Sequence, residues 1–222
     1  MIFKTRGIVF RFTKYGETSI IVSIFTEMFG LQSYIVNGIR SKTARNRIAL
    51  YQPLTLLELE VYHRENANIE RIREARCFHP YQSLTSDVRK STIAIFLSEL
   101  INKTVKHESH AEELFAFLSG SLIAIDTSPH AASSAHLVFM VMLSRYLGFG
   151  PQFVNEIVGG RATDEQTEKV IDQLLHANFE NDIAMSNDQR RTILDLLIRF
   201  YSEHIDNIGE FRSVQILRDI LA

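Results

Sequence analysis

Residues 7–25, GIVFRFTKYGETSIIVSIF, decide the fold class of the first part of the chain. Apolar residues alternate over 7–12, a second apolar run covers 19–25, and KYGET at 14–18 lies between them. A two-residue period is typical of a strand with one wet face, and glycine in a short polar stretch is typical of a turn. This stretch therefore predicts two strands joined by a tight turn.

Alternation also assigns the side chains of the first strand to its two faces. The pattern puts Ile8, Phe10 and Phe12 on one face. Val9 and Arg11 fall on the other face.

Three more stretches before residue 80 predict strands. LQSYIVNG (31–38) and LTLLELEV (54–61) follow at short intervals, and the second alternates apolar residues with glutamates. NIERIREARC (68–77) is ambiguous because Ile69 and Ile72 have helical spacing, but its position after a polar connection favours a strand.

Five short strands in about seventy residues predict a small closed barrel, since closure removes exposed sheet edges. The OB-fold is a five-stranded barrel that often binds single-stranded nucleic acid. A small barrel without a ligand has the same strand pattern and stays open at this point.

After Pro80 the apolar residues recur at helical spacing in several runs. A Ser/Thr cluster at 83–86 can cap the first helix, and the segments that begin at Thr163 and Ser186 match the capping box. We therefore predict an α+β, multi-domain chain. An OB-fold barrel domain covers 1–80, and an all-α helical domain covers 81–222.

Charge is unevenly distributed between these two parts. Residues 1–80 hold 12 Lys/Arg and 7 Asp/Glu, a net charge of +5, and residues 81–222 hold 12 and 19, a net charge of −7. The segment 40–47 contains four cations and no carboxylate. A basic first third indicates that this part binds an anion.

The basic segment predicts a nucleic-acid site. In an extended loop its cations reach several successive phosphates, and each neutralised phosphate releases counterions. Tyr15, in the KYGET turn, is the best candidate to stack on an unpaired base. A solvated surface loop without a ligand is the alternative. The predicted binding residues are Arg40, Lys42, Arg45 and Arg47, with Arg6, Arg11, Lys14 and Tyr15 on the barrel.

Other classes of protein have weaker signals. Cys77 is the only cysteine, so the chain has no internal disulfide and no four-cysteine zinc site. No phosphate-binding glycine loop, HExxH or GxSxG motif occurs, and His107 and His110 could hold a metal only with partners from elsewhere in the chain. No apolar stretch reaches the ~20 residues of a membrane span. We predict a cytoplasmic protein that is not an enzyme and that binds no metal or cofactor.

Several segments together resemble the RecO family of bacterial recombination mediators. The resemblance covers residues 1–151 in order, and beyond them it depends on helical character and the closing RSVQILRDIL. Each segment alone is weak, but the ordered combination is specific. The segments are YGET (15–18), FTEMFG (25–30), NGIRSK (37–42), QPLTLLELE (52–60) and LGFGP (147–151).

The resemblance implies a DNA repair protein that works without catalysis and is associated with the nucleoid. Such a protein binds single- and double-stranded DNA and anneals complementary strands. Together with RecR it helps RecA to load onto DNA coated by single-stranded-DNA-binding protein.

The resemblance also implies that the helical domain receives the acidic, phenylalanine-ended tail of the coating protein. That tail needs an apolar pocket with a cation at its edge. We predict this pocket at Arg145, with Tyr146, Leu143 and Met142 beside it.

One segment departs from the family pattern. Many members carry two CxxC pairs, which bind a structural zinc, after the segment that LGFGP represents here. Residues 151–165, PQFVNEIVGGRATDE, contain no cysteine. The zinc is therefore predicted to be absent, with packing of capped helices in its place.

Two alternatives share the electrostatics of this chain. In one, a protein-interaction adaptor uses the basic loop to contact an acidic protein surface. In the other, the barrel binds RNA.

Overall fold

The computed structural model describes most of the chain. Side chains of residues 42–46 and 131 fall outside the description, although their backbone is included. The described residues are 1–39, 42–64, 67–106, 110–129 and 131–221. Within them, no helix combines the length and the apolar character that crossing a bilayer requires.

Five strands of the described chain close into a barrel. The strands are β1 (Ile2–Tyr15), β2 (Ser19–Thr26), β3 (Gly30–Val36), β4 (Leu56–Tyr62) and β5 (Glu70–Cys77). Their order around the barrel is β1, β2, β3, β5, β4, and β4 returns to β1. All neighbours are antiparallel except β3 and β5, whose parallel ladder has two residue pairs. The predicted OB-type barrel, including the ambiguous fifth strand, is confirmed.

A β-bulge in β1 changes which side chains of this strand face the barrel. The ladder between β1 and β2 skips Phe10, which lies between the pairs made by Val9 and Arg11. One extra residue reverses the alternation beyond it. Val9 accordingly lies in the core and Phe12 packs against it, whereas Arg11 is exposed. The prediction that Phe12 shares a face with Ile8 and Phe10 is therefore wrong.

The core of the barrel leaves no room for a side chain at Gly7. A Cβ atom there would lie 2.5 Å from Cγ2 of Ile24 and 2.9 Å from Cδ1 of Leu59. Glycine at this position allows the backbone of β1 to pack directly against the side chains of Ile24 and Leu59. The buried residues of the core are Val9, Ile20, Val22, Ile24, Tyr34, Val36, Ile39, Tyr51, Leu57, Leu59 and Val61.

Seven α-helices follow the barrel in the described part of the chain. They are α1 (Val88–Thr104), α2 (Ala111–Thr127), α3 (Ala131–Tyr146), α4 (Val154–Val158), α5 (Glu165–His176), α6 (Asn187–His204) and α7 (Val214–Ile220). The predicted helical region is confirmed.

The chain folds into two compact units. The first unit contains Met1–Tyr81 and Val105–Leu122. The second contains Gln82–Thr104 and the described chain from Ile123 onward. The first unit thus includes a segment of α2 in addition to the barrel, and the assignment of domains to 1–80 and 81–222 stays a prediction.

A buried carboxylate holds the start of the second unit in place. Asp126 is 2% exposed, and its side chain accepts hydrogen bonds from the amides of Gln82, Ser83 and Leu84 at 2.7–3.1 Å. The buried ammonium of Lys90 donates to the main-chain oxygen of Asp126 at 2.8 Å. A buried charge is tolerated only when it is hydrogen-bonded in this way.

Two helix starts differ from the prediction in the same respect. The hydroxyl of Thr163 was expected to cap α5, and the Ser/Thr cluster at 83–86 was expected to cap α1. Instead, Asp164 accepts from the Thr167 amide at 2.9 Å, and Asp87 accepts from the Lys90 amide at 2.9 Å. A carboxylate makes a charge-assisted bond and complements the helix dipole, which a hydroxyl does not.

The capping box at the start of α6 is confirmed. The Ser186 hydroxyl accepts from the Gln189 amide at 3.1 Å, and the Gln189 side chain accepts from the Ser186 amide at 2.8 Å. The residue directly after Ser186 is Asn187 and not an aspartate, so no carboxylate takes over the capping position and the predicted reciprocal pair forms.

An unpaired histidine lies in the core of the second unit. His136 of α3 is fully buried, and neither ring nitrogen has a hydrogen-bond partner among the described residues. Burial, and to a lesser extent the neighbouring Arg190 guanidinium, lower the pKa of His136 to about 3. The imidazole is therefore neutral in the folded protein at neutral pH.

Gly7→Ala should destabilise the protein, because the new methyl group overlaps with Ile24 and Leu59. Overpacking of this kind costs typically ~1–3 kcal/mol. The matched control is Gly120→Ala in α2, where an added Cβ meets nothing within 4 Å. That substitution should stabilise the helix by ~0.5–1 kcal/mol. Urea unfolding measures both changes, and equal effects of the two substitutions would contradict the packing at Gly7.

His136 should make the free energy of unfolding fall as the pH is lowered. Its folded-state pKa lies below its unfolded value, so between pH ~6.5 and ~3 the unfolded chain binds a proton that the folded chain does not. The slope from this one group is up to ~1.4 kcal/mol per pH unit. Unfolding curves of His136→Phe should lack this part of the slope. Parallel pH profiles of the two proteins would contradict a neutral His136.

Candidate nucleic-acid interface

The outer surface of β1, β2 and β3 lies opposite the barrel core. Phe12, Val22 and Tyr34 face the core, so the residues directly before and after each of them on its own strand face outward. In the strand pairing, Arg11 of β1 lies opposite Ser23 of β2, and Ile35 of β3 lies opposite Arg71 of β5. We call this surface the basic sheet face. Its residues are Arg11, Thr13, Tyr15, Ser19, Ile21, Ser23, Ser33, Ile35 and Arg71.

The basic sheet face carries positive charge without carboxylates. Arg11 and Arg71 are exposed, and neither forms an ion pair with a described carboxylate. Tyr15 is 52% exposed at the end of β1. Ser23 and Ser33 follow Arg11 across β2 and β3, and Ile21 and Ile35 lie between Thr13 and Arg71. An extended polyanion with flat bases suits this combination of cations, an aromatic ring and small or apolar side chains.

The KYGET turn and the basic segment leave the barrel at the same end. Tyr15 pairs with Ser19, and Ile20 pairs with Val36, the last residue of β3. The Ser19 hydroxyl donates to the Asn37 side-chain oxygen at 3.1 Å. Lys14, at the end of β1, is exposed. The structure therefore brings Lys14 and Tyr15 close to the chain that enters the basic segment.

The described part of the basic segment, residues 42–47, is helical, so the prediction of an extended loop is wrong for these residues. Residues Lys42–Tyr51 form a 3₁₀ helix. Tyr51 is buried in the barrel core, and Ile48 and Leu50 pack against it. These three residues fix the C-terminal half of the helix. The span is also shorter, because a 3₁₀ helix rises ~2 Å per residue and an extended chain ~3.3 Å.

Only part of the predicted cluster is described. Arg47 is exposed, and its positive charge opposes the effect of burial, which raises the pKa of Tyr51. Arg40 lies outside the described residues. The backbone of Lys42 and Arg45 belongs to the 3₁₀ helix, but their side chains lie outside the description.

Arg6 lies on a different surface of the barrel from Arg11. Five residue steps along the strand separate the two, about 17 Å at ~3.3 Å per residue. The Arg6 guanidinium donates to both oxygens of Glu27, at 2.9 and 2.5 Å, and lies 5.2 Å from the centre of the Phe115 ring. The hydrogen bond raises the pKa of Arg6 and lowers the pKa of Glu27. Because its charge is already neutralised by Glu27, Arg6 would bind a phosphate more weakly than an unpaired arginine would.

Arg6 belongs to a surface on which the charges neutralise each other. Lys4 lies 3.6 Å and Arg73 lies 3.3 Å from carboxylate oxygens of Glu60, and Arg76 donates to Glu58 at 2.5 Å. Several of these side chains line a cavity of about 460 Å³. We call this surface the paired-charge face. It consists of Lys4, Arg6, Glu27, Glu58, Glu60, Glu74, Arg73 and Arg76.

Arg71 was missed by the sequence analysis, although a signal for it was present. In ERIREARC (Glu70–Cys77) a strand interpretation puts Ile72 inward and its neighbour Arg71 outward. The pairing of Arg71 with Ile35 across the parallel ladder then places it on the basic sheet face. Alternation within one strand shows which residues face outward, but it does not show which strand pairs with which.

The predicted tail pocket is only partly assembled. Leu143 is fully buried and Met142 half-buried, whereas Arg145 and Tyr146 are exposed at the end of α3. Arg145 lines a cavity of about 500 Å³, and Leu175, whose main-chain oxygen accepts a hydrogen bond from Arg145, is an apolar residue of its wall. The cavity is lined by Arg145, Gly148, Gly150, Pro151, Gln152, Leu175 and His176.

Gly150 explains why the LGFGP segment packs closely on Arg145. A Cβ at this position would lie 2.8 Å from the Cα of Arg145. The segment after α3 can therefore fold back against the helix only with glycine here. This close approach forms one wall of the cavity.

The region that holds cysteine pairs in zinc-binding relatives has another structure here. It forms α4, a turn through Gly159 and the start of α5 at Asp164. Over the described ranges, no three His, Cys, Asp or Glu side chains come together as metal ligands. His107 lies outside those ranges, and Cys77 is half-buried on β5. The donor set of this segment therefore does not fit a zinc ion.

Comparison with known proteins gives consistent matches along the chain. The family models described as "Recombination protein O N terminal" and "Recombination protein O C terminal" match residues 1–81 and 85–168. The chain is 32% identical to DNA repair protein RecO of Flavobacterium psychrophilum over 236 aligned positions and 32% identical to that of Bacteroides fragilis over 241. It is 33% identical to the same-named protein of Flavobacterium johnsoniae over 236. Each alignment covers 99% of both chains.

Proposed function

The chain belongs to the RecO family of DNA repair proteins, and on that premise we propose that it is a recombination mediator which binds DNA without catalysing a bond change. The observation that carries the proposal is the basic sheet face on an OB-type barrel, where the cations Arg11 and Arg71 form no ion pair with a described carboxylate. OB-folds bind oligonucleotides on the surface of strands 2 and 3 and on the neighbouring loops.

Single-stranded DNA fits this face better than it fits the rest of the barrel. Arg11 and Arg71 on the face supply charge for phosphates, and Lys14 at the end of β1 and Arg47 on the 3₁₀ helix add to it. Release of condensed counterions drives the binding. Tyr15 presents an exposed ring on which a base can stack, worth ~1–3 kcal/mol. The paired-charge face offers no comparable gain, because a phosphate there would have to displace Glu58 or Glu60 from its partners.

Annealing of complementary strands follows from the same electrostatics. A protein that neutralises phosphates on two strands lowers their mutual repulsion, so that base pairing can proceed. Binding of double-stranded DNA requires only the same phosphate contacts. Nucleotide hydrolysis is not needed for either step, and the sequence contains no phosphate-binding glycine loop.

We assign the helical region to protein partners. In this proposal the protein acts with RecR and helps RecA to replace single-stranded-DNA-binding protein on DNA in the bacterial cytoplasm. The cavity beside Arg145 receives the acidic tail of the coating protein. Arg145 supplies the cation, and Leu175 and Pro151, which line the cavity as Leu143 does not, supply the apolar wall.

Replacing Arg11, Lys14 and Arg47 together with alanine should weaken binding to single-stranded DNA and reduce its dependence on salt. At ~0.7 units per phosphate contact, the slope of log K against log salt should become shallower by up to ~2 units. Fluorescence anisotropy of a labelled oligothymidylate at several salt concentrations measures this slope.

The matched control replaces Lys4, Arg73 and Arg76 on the paired-charge face, which changes the net charge equally. That variant should keep the slope of the original protein. Equal slopes for both variants would show that the protein binds DNA only through its total charge. Competition by RNA of the same sequence tests the RNA-binding alternative, and absence of DNA binding altogether would favour the protein-interaction adaptor.

Arg145→Glu should weaken binding of an acidic peptide that ends in phenylalanine by tenfold or more, which corresponds to ~1.4 kcal/mol. Arg145→Lys keeps the charge and should retain most of the affinity. Arg161→Glu, an exposed position after α4, makes the same charge change as a control. Peptide anisotropy measures all three, and an equal loss at Arg145 and Arg161 would exclude the cavity as the site.

A further inference from the structure

A second exposed aromatic ring lies at the end of β4. Tyr62 is 43% exposed, and Ile69, directly before β5, is 47% exposed. Both border a cavity of about 530 Å³ at the connection between the two strands. The described residues that line it are Tyr62, Arg64, Ala67, Ile69, Glu70 and Arg71.

This cavity continues the basic sheet face. Arg71 pairs with Ile35 of β3 on one side and with Tyr62 of β4 on the other. Ile35 in turn pairs with Ile21, and Ile21 with Thr13. Four steps of ~4.8 Å between strands put Tyr62 about 19 Å from Thr13 along the surface. Tyr15 and Tyr62 therefore mark the two ends of one outward-facing band.

The charges at the cavity favour a phosphate. Arg64 and Arg71 are exposed, and neither guanidinium pairs with a described carboxylate. Among the described residues that line the cavity, Glu70 is the one with a carboxylate, and its side chain is only 1% exposed. One of its oxygens lies 2.7 Å from Nδ1 of His63 and accepts from the Arg64 amide at 3.0 Å. Its negative charge is thus turned inward, whereas the two guanidiniums face solvent.

We propose that this cavity binds one nucleotide of single-stranded DNA, with the base stacked on Tyr62 beside Ile69 and the phosphate held by Arg64 and Arg71. The inference rests on the proposed function and extends its site from the basic sheet face to Tyr62 of β4 and to Arg64 and Ile69 in the connection before β5. A strand bound on the basic sheet face reaches this cavity without leaving the outward-facing band.

The absence of tryptophan from the sequence allows a direct test. Tyr62→Trp introduces a single tryptophan whose fluorescence is quenched when a base stacks on it. Tyr15→Trp reports in the same way on the basic sheet face. Phe153→Trp, at a 64% exposed position beside α4, is the control for quenching without a site. Each variant is titrated with oligothymidylate while anisotropy of the labelled strand measures binding.

We expect quenching in Tyr62→Trp and Tyr15→Trp and none in Phe153→Trp. In the Tyr62→Trp background, Arg64→Ala with Arg71→Ala should reduce the quenching and make the salt slope shallower by ~1.4 units, at ~0.7 per contact. Circular dichroism confirms that these variants keep the fold. Tyr62→Ala should weaken binding by about tenfold, as expected for loss of one stacked base.

The outcomes separate the two proposals. Quenching at Tyr15→Trp with tight binding but none at Tyr62→Trp overturns the nucleotide cavity and leaves the proposed function intact. Equal quenching in Phe153→Trp also overturns the cavity, since it shows that stacking is not confined to the band. No binding by any variant or by the original protein overturns the proposed function itself.

Discussion

The β-bulge at Phe10 is the constraint on which the charge distribution of the barrel depends. Before the bulge, Gly7 and Val9 face the core, and uninterrupted alternation would turn Arg11 into the core as well. An unpaired buried guanidinium would cost several kcal/mol. The extra residue brings Phe12 into the core instead and leaves Arg11 on the outside, next to the serines of β2 and β3. One strand thus carries cations in two different environments.

Those two environments give the barrel its functional asymmetry. Before the bulge, Lys4 and Arg6 lie opposite glutamates of β4. Both cations form ion pairs within the protein, Lys4 with Glu60 and Arg6 with Glu27. Beyond the bulge, no described carboxylate pairs with Arg11. The net charge of +5 in residues 1–80 is therefore not spread evenly. Since exposed ion pairs contribute little to stability, the paired-charge face mainly withholds positive charge from one side of the barrel.

The sequence predicted the elements well and their long-range relations poorly. Alternation of Leu57, Leu59 and Val61 with glutamates identified a strand whose core face is confirmed, because that pattern is local. The bulge depends on how β1 pairs with β2, and the Arg6–Glu27 pair joins residues twenty-one positions apart, so neither has a local signature. Likewise, helical spacing did not reveal that Leu143 is buried whereas Arg145 is exposed, since burial depends on which helices pack together.

The short ladder between β3 and β5 has a consequence for the integrity of the barrel. Only two residue pairs close the cylinder there, and parallel pairing is slightly less stable per residue than antiparallel pairing. Local opening at this seam would expose two strand edges, which are prone to pair with other chains. Arg71 lies in the seam itself, and the surface of β3 lies next to it. A polyanion that contacts both β3 and β5 would hold the two strands together. Binding of the polyanion and closure of the barrel would therefore stabilise each other.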